Sequence, residues 1–311
     1  MRNHTELTEF ILLGIPQTQG VETMLFPLFL VIYLFTLIGN LLILTAIVSY
    51  SVLHTPMYFF LGLLAILDIV LPAVTCPKML IYLSGQSRAI SYNGCATQIF
   101  FYHFLGCTEA CLYSVMSYDR FVAICYPLRY SLIMRPGVCV GLVIAAWTLG
   151  FVHASILTAF TFSLTYCGPN HVDYFFCDIP AVLPLACDDT SLAQAVGSAA
   201  VSFLVLLFWS IIFLCYLRIA IAILQMRSAE GRKKAFSTCS AHLAAVLCYL
   251  APVVIIYLQP TPNPLVDATV QIFTNIVSPM LNSLIFSLRN KDVKTSLKKV
   301  FCKYLLRKNK L

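Results

Sequence analysis

Apolar residues in this chain gather into seven long blocks, parted by short segments holding Pro, Gly, Asn or charge. The blocks run near Met24–Val48, Met57–Leu80, Gly94–Cys125, Val138–Phe160, Ala195–Leu224, Ala235–Leu258 and Ala268–Leu288. A bilayer core of about 30 Å takes roughly 20 helical residues to cross, and each block is long enough. The pattern predicts an all-α membrane protein, a seven-transmembrane helix bundle. Residues 1–23 read as a polar amino terminus, 24–288 as a single bundle domain and 289–311 as a tail. No internal repeat divides the bundle, as one would in many transporters. No cleavable signal peptide is read ahead of the first block, where Glu6, Glu9 and Glu22 stand. The first span is expected to serve as the insertion signal.

Composition supports lipid as the solvent. Of 311 residues, 60% are hydrophobic and 11% charged, against about 25% charged in a soluble domain. A net charge of +7 would suggest nucleic acid for a soluble protein, but its distribution points elsewhere. Of the 20 Lys and Arg, only Arg2, Lys78 and Arg88 fall in the amino terminus or the even-to-odd loops. Glu6, Glu9, Glu22, Asp173, Asp178, Asp188, Asp189 and Asp267 all fall on that side. Basic residues stay in the cytoplasm, so the amino terminus is expected outside the plasma membrane and the tail inside. Asn3-His4-Thr5 is a glycosylation acceptor that agrees with this placement.

Of the 13 Cys, Cys95, Cys167, Cys177 and Cys187 lie in or beside outer loops. An even set in an oxidising compartment predicts two disulfides, and spacing alone leaves three pairings open. The rest read as small apolar side chains. The longest loop, near Thr161–Gln194, holds three of the four outer cysteines and is expected to form a pinned lid. In the tail, Leu288, Val293, Leu297, Val300, Phe301 and Leu305 recur at helical spacing among lysines. That suits a short amphipathic helix on the anionic inner leaflet rather than a frayed basic end.

Ionisable groups inside spans are costly and mark function. They are Asp68 in the second block and Glu109, Asp119 and Arg120 in the third, with His103 and His153 as milder cases. Tyr102, Gly106, Glu109, Tyr113 and Arg120 fall within about 60° of one another on a helix, one polar stripe. Glu109 and Arg120 stand about 16 Å apart along the axis and do not pair. Asp68 and Glu109 share a depth, so together they would hold a sodium ion, share a proton or bridge through water. Arg120 reads either as a switch released by Asp119 or as a snorkelling interfacial cation. His103 would bond a ligand, bond a backbone carbonyl, or join Cys107 one turn on in binding a metal. Pro72, Pro77, Pro252 and Pro279 would each remove a helical donor and kink a span.

Four motifs carry a resemblance. The second block opens with Leu53-His54-Thr55-Pro56-Met57-Tyr58-Phe59-Phe60. The third ends with Met116-Ser117-Tyr118-Asp119-Arg120-Phe121-Val122-Ala123-Ile124-Cys125, then Tyr126-Pro127-Leu128-Arg129-Tyr130. The sixth begins Lys234-Ala235-Phe236-Ser237-Thr238-Cys239-Ser240-Ala241-His242-Leu243, and the seventh ends with Pro279-Met280-Leu281-Asn282 and Ser287-Leu288-Arg289-Asn290-Lys291. From Glu9 to about Val300 the chain resembles vertebrate olfactory receptors of the rhodopsin-like class of G-protein-coupled receptors.

The resemblance implies a receptor, not an enzyme, needing no cofactor. It would bind a small odorant and activate a heterotrimeric stimulatory (olfactory-type) G protein, raising cyclic AMP, in the ciliary membrane of sensory neurons where the tissue is olfactory. It implies disulfides Cys95–Cys177 and Cys167–Cys187. It implies a G-protein switch of Asp119, Arg120, Tyr216 and His242, and a polar core of Asn40, Asp68, Glu109 and Asn282, which strengthens the sodium reading. The implied odorant pocket takes Tyr102, His103, Gly106 and Cys107 from the third span, Ile179 from the loop and Ala200 and Val201 from the fifth. The sixth adds Val253, Val254 and Tyr257, and the seventh Ile272 and Asn275. That wall bears no acid or base, and it suits an uncharged or weakly polar ligand.

The chain also departs from the family pattern. Ser283 and Phe286 stand where Pro and Tyr are usual, which should straighten the last span and remove a hydroxyl from its polar relay. Phe121 replaces a Tyr, and Tyr249-Leu250-Ala251 shifts or loses the usual pivot tyrosine. These changes bear on basal activity and coupling strength. Other functions fit less well. The seventh block has no Lys for a retinal Schiff base, and Tyr102, Leu105 and Gly106 give an amine no carboxylate. No nucleophile elbow or phosphate loop suggests an enzyme, and substrate flux would distinguish a transporter.

Overall fold

The computed structural model describes residues 7–18, 20–167, 169–258, 263–289 and 292–299, with the backbone alone at 234, 238, 253, 254, 256–258 and 289. Seven helices are long and apolar enough to cross a membrane. They are α1 (Glu22–Ser49), α2 (Pro56–Leu83), α3 (Tyr92–Cys125), α4 (Pro136–Phe162), α5 (Ser191–Gln225), α6 (Ala229–Leu258) and a seventh span over Pro264–Leu288. The end bearing the amino-terminal segment is called upper, and the end bearing the tail lower.

The helix starts follow from local chemistry. Pro56, Pro136 and Pro264 open their helices at the first turn, where a missing N–H costs nothing. The Ser91 hydroxyl caps α3 by accepting from the Gly94 N–H at 3.0 Å, and the Asn263 side chain caps the seventh span by accepting from the Leu265 N–H at 3.0 Å. α6 begins at Ala229, six residues before the apolar block, because exposed Arg232 and Lys233 are good helix formers that carry it into water. Pro72, Pro77 and Pro252 sit inside helices without ending them. Across Ser283 the seventh span is regular helix, and its irregularity lies earlier. It runs as helix over Pro264–Ile272, widens to a π-turn over Phe273–Val277 and resumes over Ser278–Arg289. Pro279 has no N–H to continue the ordinary ladder; just before it, the Ser278 N–H reaches back five residues to the Phe273 carbonyl.

α3 is the central post. From Leu105 to Arg120 nearly every side chain is buried, because α2, α4, α5 and α6 surround it. Its polar stripe faces the sixth and seventh spans: Tyr102 bonds Gln271, the Gly106 carbonyl takes the Tyr249 hydroxyl, and Tyr113 meets Asn282 and Tyr249. Two glycines permit close helix approach. A Cβ on Gly150 of α4 would lie 2.8 Å from the Phe104 carbonyl oxygen of α3 and against the Thr108 hydroxyl. A Cβ on Gly39 of α1 would press on Ser283 of the seventh span.

The upper end is closed by a three-stranded sheet that the apolar blocks did not foretell. Strand β1 (Glu9–Leu12) lies between β2 (Ala89–Ser91), antiparallel, and β3 (His171–Val172), parallel. Phe10 pairs with Ile90 and Ile11 with His171. Phe10 and Leu12 alternate inward and are fully buried. Two disulfides, Cys95–Cys177 and Cys167–Cys187, pin the long loop. Gln98 adds a third pin: its amide donates to the Val74 carbonyl of α2 at 2.8 Å and accepts from the Cys177 N–H at 2.8 Å.

At the lower end a helix over residues 292–299 follows the seventh span. Val293 is buried and Leu297 half-buried against the lower core. The Tyr58 hydroxyl donates to Asp292 at 3.0 Å, and the Lys299 ammonium stands 5.8 Å over the Tyr50 ring. This helix docks on the bundle as well as facing outward. Val300, Phe301 and Leu305, which completed its apolar pattern, lie outside the described residues, as does Asn3 of the glycosylation motif.

Candidate functional site: a cavity beneath the loop and a buried polar axis

A cavity of about 570 Å³ opens in the upper half of the bundle, within the size range of small-molecule sites. α3 gives it Tyr102, His103, Gly106, Cys107 and Ala110, and α4 gives His153 and Leu157. The loop turn Ile179–Val182, held down by the neighbouring Cys177, roofs it with Asp178 and Ile179. Two clusters of polar groups stand out in a largely apolar lining. The Tyr102 hydroxyl donates to Gln271 at 2.7 Å, and the Asn275 amide donates to the same oxygen at 3.1 Å, tying α3 to the seventh span. Beside Tyr102, His103 Nε2 stands 3.8 Å from an Asp178 oxygen. Burial pushes the Asp178 carboxyl up to about 6, with the Ile179 N–H opposing the shift and the Asp267 charge adding to it.

Tyr249 of α6 forms part of the floor. Its hydroxyl donates to the Gly106 carbonyl at 3.0 Å, and its ring packs 4.9 Å from that of Tyr113. Below lies the polar core. The Asn282 amide donates to Asp68 at 3.0 Å and to the Tyr113 hydroxyl at 2.6 Å. The Asn40 amide donates to the Thr36 and Pro279 carbonyls at 3.0 and 3.3 Å. Glu109 is fully buried, and neither of its oxygens has a hydrogen-bond partner; Asn282 Oδ1 also lacks one. Two buried carboxylates facing one another's charge call for a proton or a cation. Among the described residues, no group of three His, Cys, Asp or Glu is arranged to bind a metal ion, so His103 and Cys107 gain no further ligand.

At the lower end the Tyr216 hydroxyl and His242 Nδ1 are bonded at 2.7 Å, joining α5 to α6, with the rings stacked. Arg120 is buried. Among the described residues no ion pair joins it to Asp119, which accepts from the Tyr130 hydroxyl at 2.7 Å. Adjacent helical residues point about 100° apart and do not face each other, so the expected neutralising contact is replaced by a bond to the inner loop.

A family model described as olfactory receptor matches residues 29–304. The chain is 68% identical over 301 residues to mouse olfactory receptor 10N1, covering 97% of each chain. It is 59% identical over 300 residues to human olfactory receptor 10D3, covering 96% of each, and 60% identical over 297 residues to mouse olfactory receptor 10D1B, again covering 96% of each. The chain belongs to the olfactory receptor family. This olfactory receptor is accordingly a multi-pass membrane protein, a receptor for odorants and not an enzyme.

The fold brings together much of the pocket read from sequence, and changes its character. Tyr102, His103, Gly106, Cys107, Ile179, Val201 and Asn275 line the cavity of the receptor. Ala200 and Ile272 do not; they are half-buried and pack into the upper apolar cluster, one helical position away from the cavity face. The side chains of Val253, Val254 and Tyr257 lie outside the described residues. A wall without an acid was expected, yet Asp178 lines the cavity, because the disulfide at Cys177 draws the loop inward. His153 was legible as a polar residue within a span, though not as a cavity residue. Tyr249 was read as a shifted or lost pivot; it occupies the junction of cavity and polar core.

Proposed function

We propose that this receptor binds a small, largely apolar odorant in the upper cavity and activates a heterotrimeric stimulatory, olfactory-type G protein from its lower end, raising cyclic AMP. The observation that carries the reading is the succession along α3 of a roofed, largely apolar cavity, a buried polar core and the Arg120 region. The cavity's two polar clusters suit a molecule with one or two polar handles. The basic bias of the lower end supports an extracellular upper face in the plasma membrane, ciliary where the cell is an olfactory neuron. Asp68, Glu109, Asn282 and Tyr113 would hold a sodium ion or a shared proton, and the unpartnered Glu109 oxygens support that assignment. A bound cation would screen the two carboxylates from each other there.

Cyclic AMP measured in cells expressing the receptor with an olfactory-type G protein, across a panel of small volatiles, tests the reading. Arg120→Ala should abolish the response at equal surface expression. A response that persists in Arg120→Ala refutes the switch role of Arg120.

A further inference from the structure

The Asp178 and His103 pair is left incomplete by the fold. Asp178 is nine-tenths buried, and its Oδ1 accepts the Ile179 N–H at 2.8 Å. His103 Nε2 lies 3.8 Å from that same oxygen, beyond the roughly 3.2 Å limit of a hydrogen bond. Nε2 is buried without a hydrogen-bond partner. A buried polar atom left unmade is costly, and a carboxylate oxygen has lone pairs to spare beyond one N–H. Both side chains border the cavity. An oxygen about 2.8 Å from each atom spans the 3.8 Å gap from a point set about 2 Å off the line between them, within reach of the space a ligand would fill.

We propose that His103 and Asp178 form a two-point anchor for a ligand hydroxyl, so that the receptor selects small apolar alcohols and phenols over aldehydes, ketones and ethers of the same skeleton. A hydroxyl donates and accepts at once: its O–H goes to the carboxylate, and its lone pair takes the Nε2–H. A carbonyl or ether oxygen only accepts, so it turns a lone pair toward the Asp178 carboxylate and leaves that charge unsolvated. A carboxylic acid ligand would bring a second negative charge to it. With its carboxyl near 6, Asp178 is ionised at the neutral pH of the outer fluid. Sites built around a polar group reject the analogue that lacks it far more strongly than apolar walls reject a change of size. Beside the pair the wall also holds the His153 ring, 5.8 Å from that of His103, and the Tyr102 ring, 5.3 Å from it, whose hydroxyl is already given to Gln271; Cys107 and Ile179 supply apolar contact area.

This inference rests on the upper cavity being the odorant site, and two readouts separate the two claims. Thermal melting of the purified full-length receptor in lipid nanodiscs reads binding; cyclic AMP in cells reads signalling. The probes are matched alcohol, aldehyde, methyl ether and primary amine on hexyl, octyl, cyclohexyl and 2-phenylethyl skeletons. On at least one skeleton the alcohol should raise the melting temperature at a concentration on the order of tenfold or more below the aldehyde and ether. Asp178→Asn and His103→Leu should each collapse that preference, while His103→Gln, which keeps a donor, should restore part of it. Leu157→Phe, which narrows the cavity and leaves both anchor side chains in place, should weaken all members alike. Alcohols that melt-shift selectively but raise no cyclic AMP would sustain the anchor and sink the signalling reading. Equal shifts by alcohol, aldehyde and ether, a preference untouched by either variant, or no shift by any alcohol would overturn the anchor. A preference for the amine would overturn it in favour of plain charge pairing at Asp178.

Discussion

Asp178 carries a carboxyl that folding moves out of water, which ties the stability of the receptor to pH. Its ordinary value is about 3.9, and burial raises it to about 6 in the folded receptor. The folded state therefore holds the proton more tightly than the unfolded one. The stability that this supplies is fully present below about 3.9 and lost as pH rises through about 6. At neutral pH the receptor carries the cost of a buried charge. The groups facing it are His103 and Tyr102 of α3, His153 of α4, Tyr174 of the loop and Asp267 of the seventh span, so no Lys or Arg among the described residues repays that cost. Asn at 178 would still cap the Ile179 turn, since Asn caps about as well as Asp. Asp178→Asn should thus melt higher than the wild type at pH 7.5; the difference should fall to about half at pH 5 and vanish only below about 3.9. Melting curves across this range check it; a gain undiminished at pH 5 would show packing, not charge, at work.

Among the helices and the loop, the decisive features are joints. Cys95–Cys177 closes a separation of 82 residues and holds the cavity roof against α3, whereas Cys167–Cys187 closes 20 within the loop. By chain entropy alone the first is worth about 4 kcal/mol and the second about 3. Cys95→Ser should cut surface delivery more deeply than Cys167→Ser and should also lose ligand-induced melting shifts; surface staining and melting curves compare them. Gly150→Ala should cost about 1–3 kcal/mol, because a Cβ there meets the Phe104 backbone carbonyl, which cannot rotate away. Normal surface level and melting of Gly150→Ala would disprove that tight α3–α4 contact. These joints also mark where sequence reading stopped. Seven helices were legible because each apolar block is long enough to span lipid, and the cavity residues of α3 were legible from the family motifs. The β1 strand was not, because four residues of alternating pattern, Glu9-Phe10-Ile11-Leu12, are too short a signal beside such blocks. The placement of Asp178 was not, because it depends on how far a disulfide draws a loop down, and spacing does not encode that distance. Nor was the docking of the tail helix through Tyr58 and Asp292, which are 234 residues apart.

Across the whole receptor, aromatic and amide contacts run without a break from the cavity floor to the switch region. Tyr249 touches the cavity and bonds Gly106; it packs on Tyr113, which accepts from Asn282; Tyr113 in turn lies 6.3 Å from the His242 ring, and His242 bonds Tyr216. Such a chain transmits only if it has two arrangements that both ends bias. In the conformation seen here Arg120 is buried, out of reach of the G protein of the proposed function, and the Tyr249 bond holds α6 to α3. Tyr249→Phe removes the hydroxyl and keeps the ring against Tyr113. It takes about 1 kcal/mol from this conformation, roughly a fivefold shift in a two-state equilibrium. Basal cyclic AMP should therefore rise several-fold at equal surface expression, while Tyr249→Phe/Arg120→Ala should return it to background. A fall in both basal and ligand-evoked cyclic AMP would mean that the Tyr249 bond belongs to the signalling arrangement instead, and that α6 must stay fastened to α3 for the lower end to open.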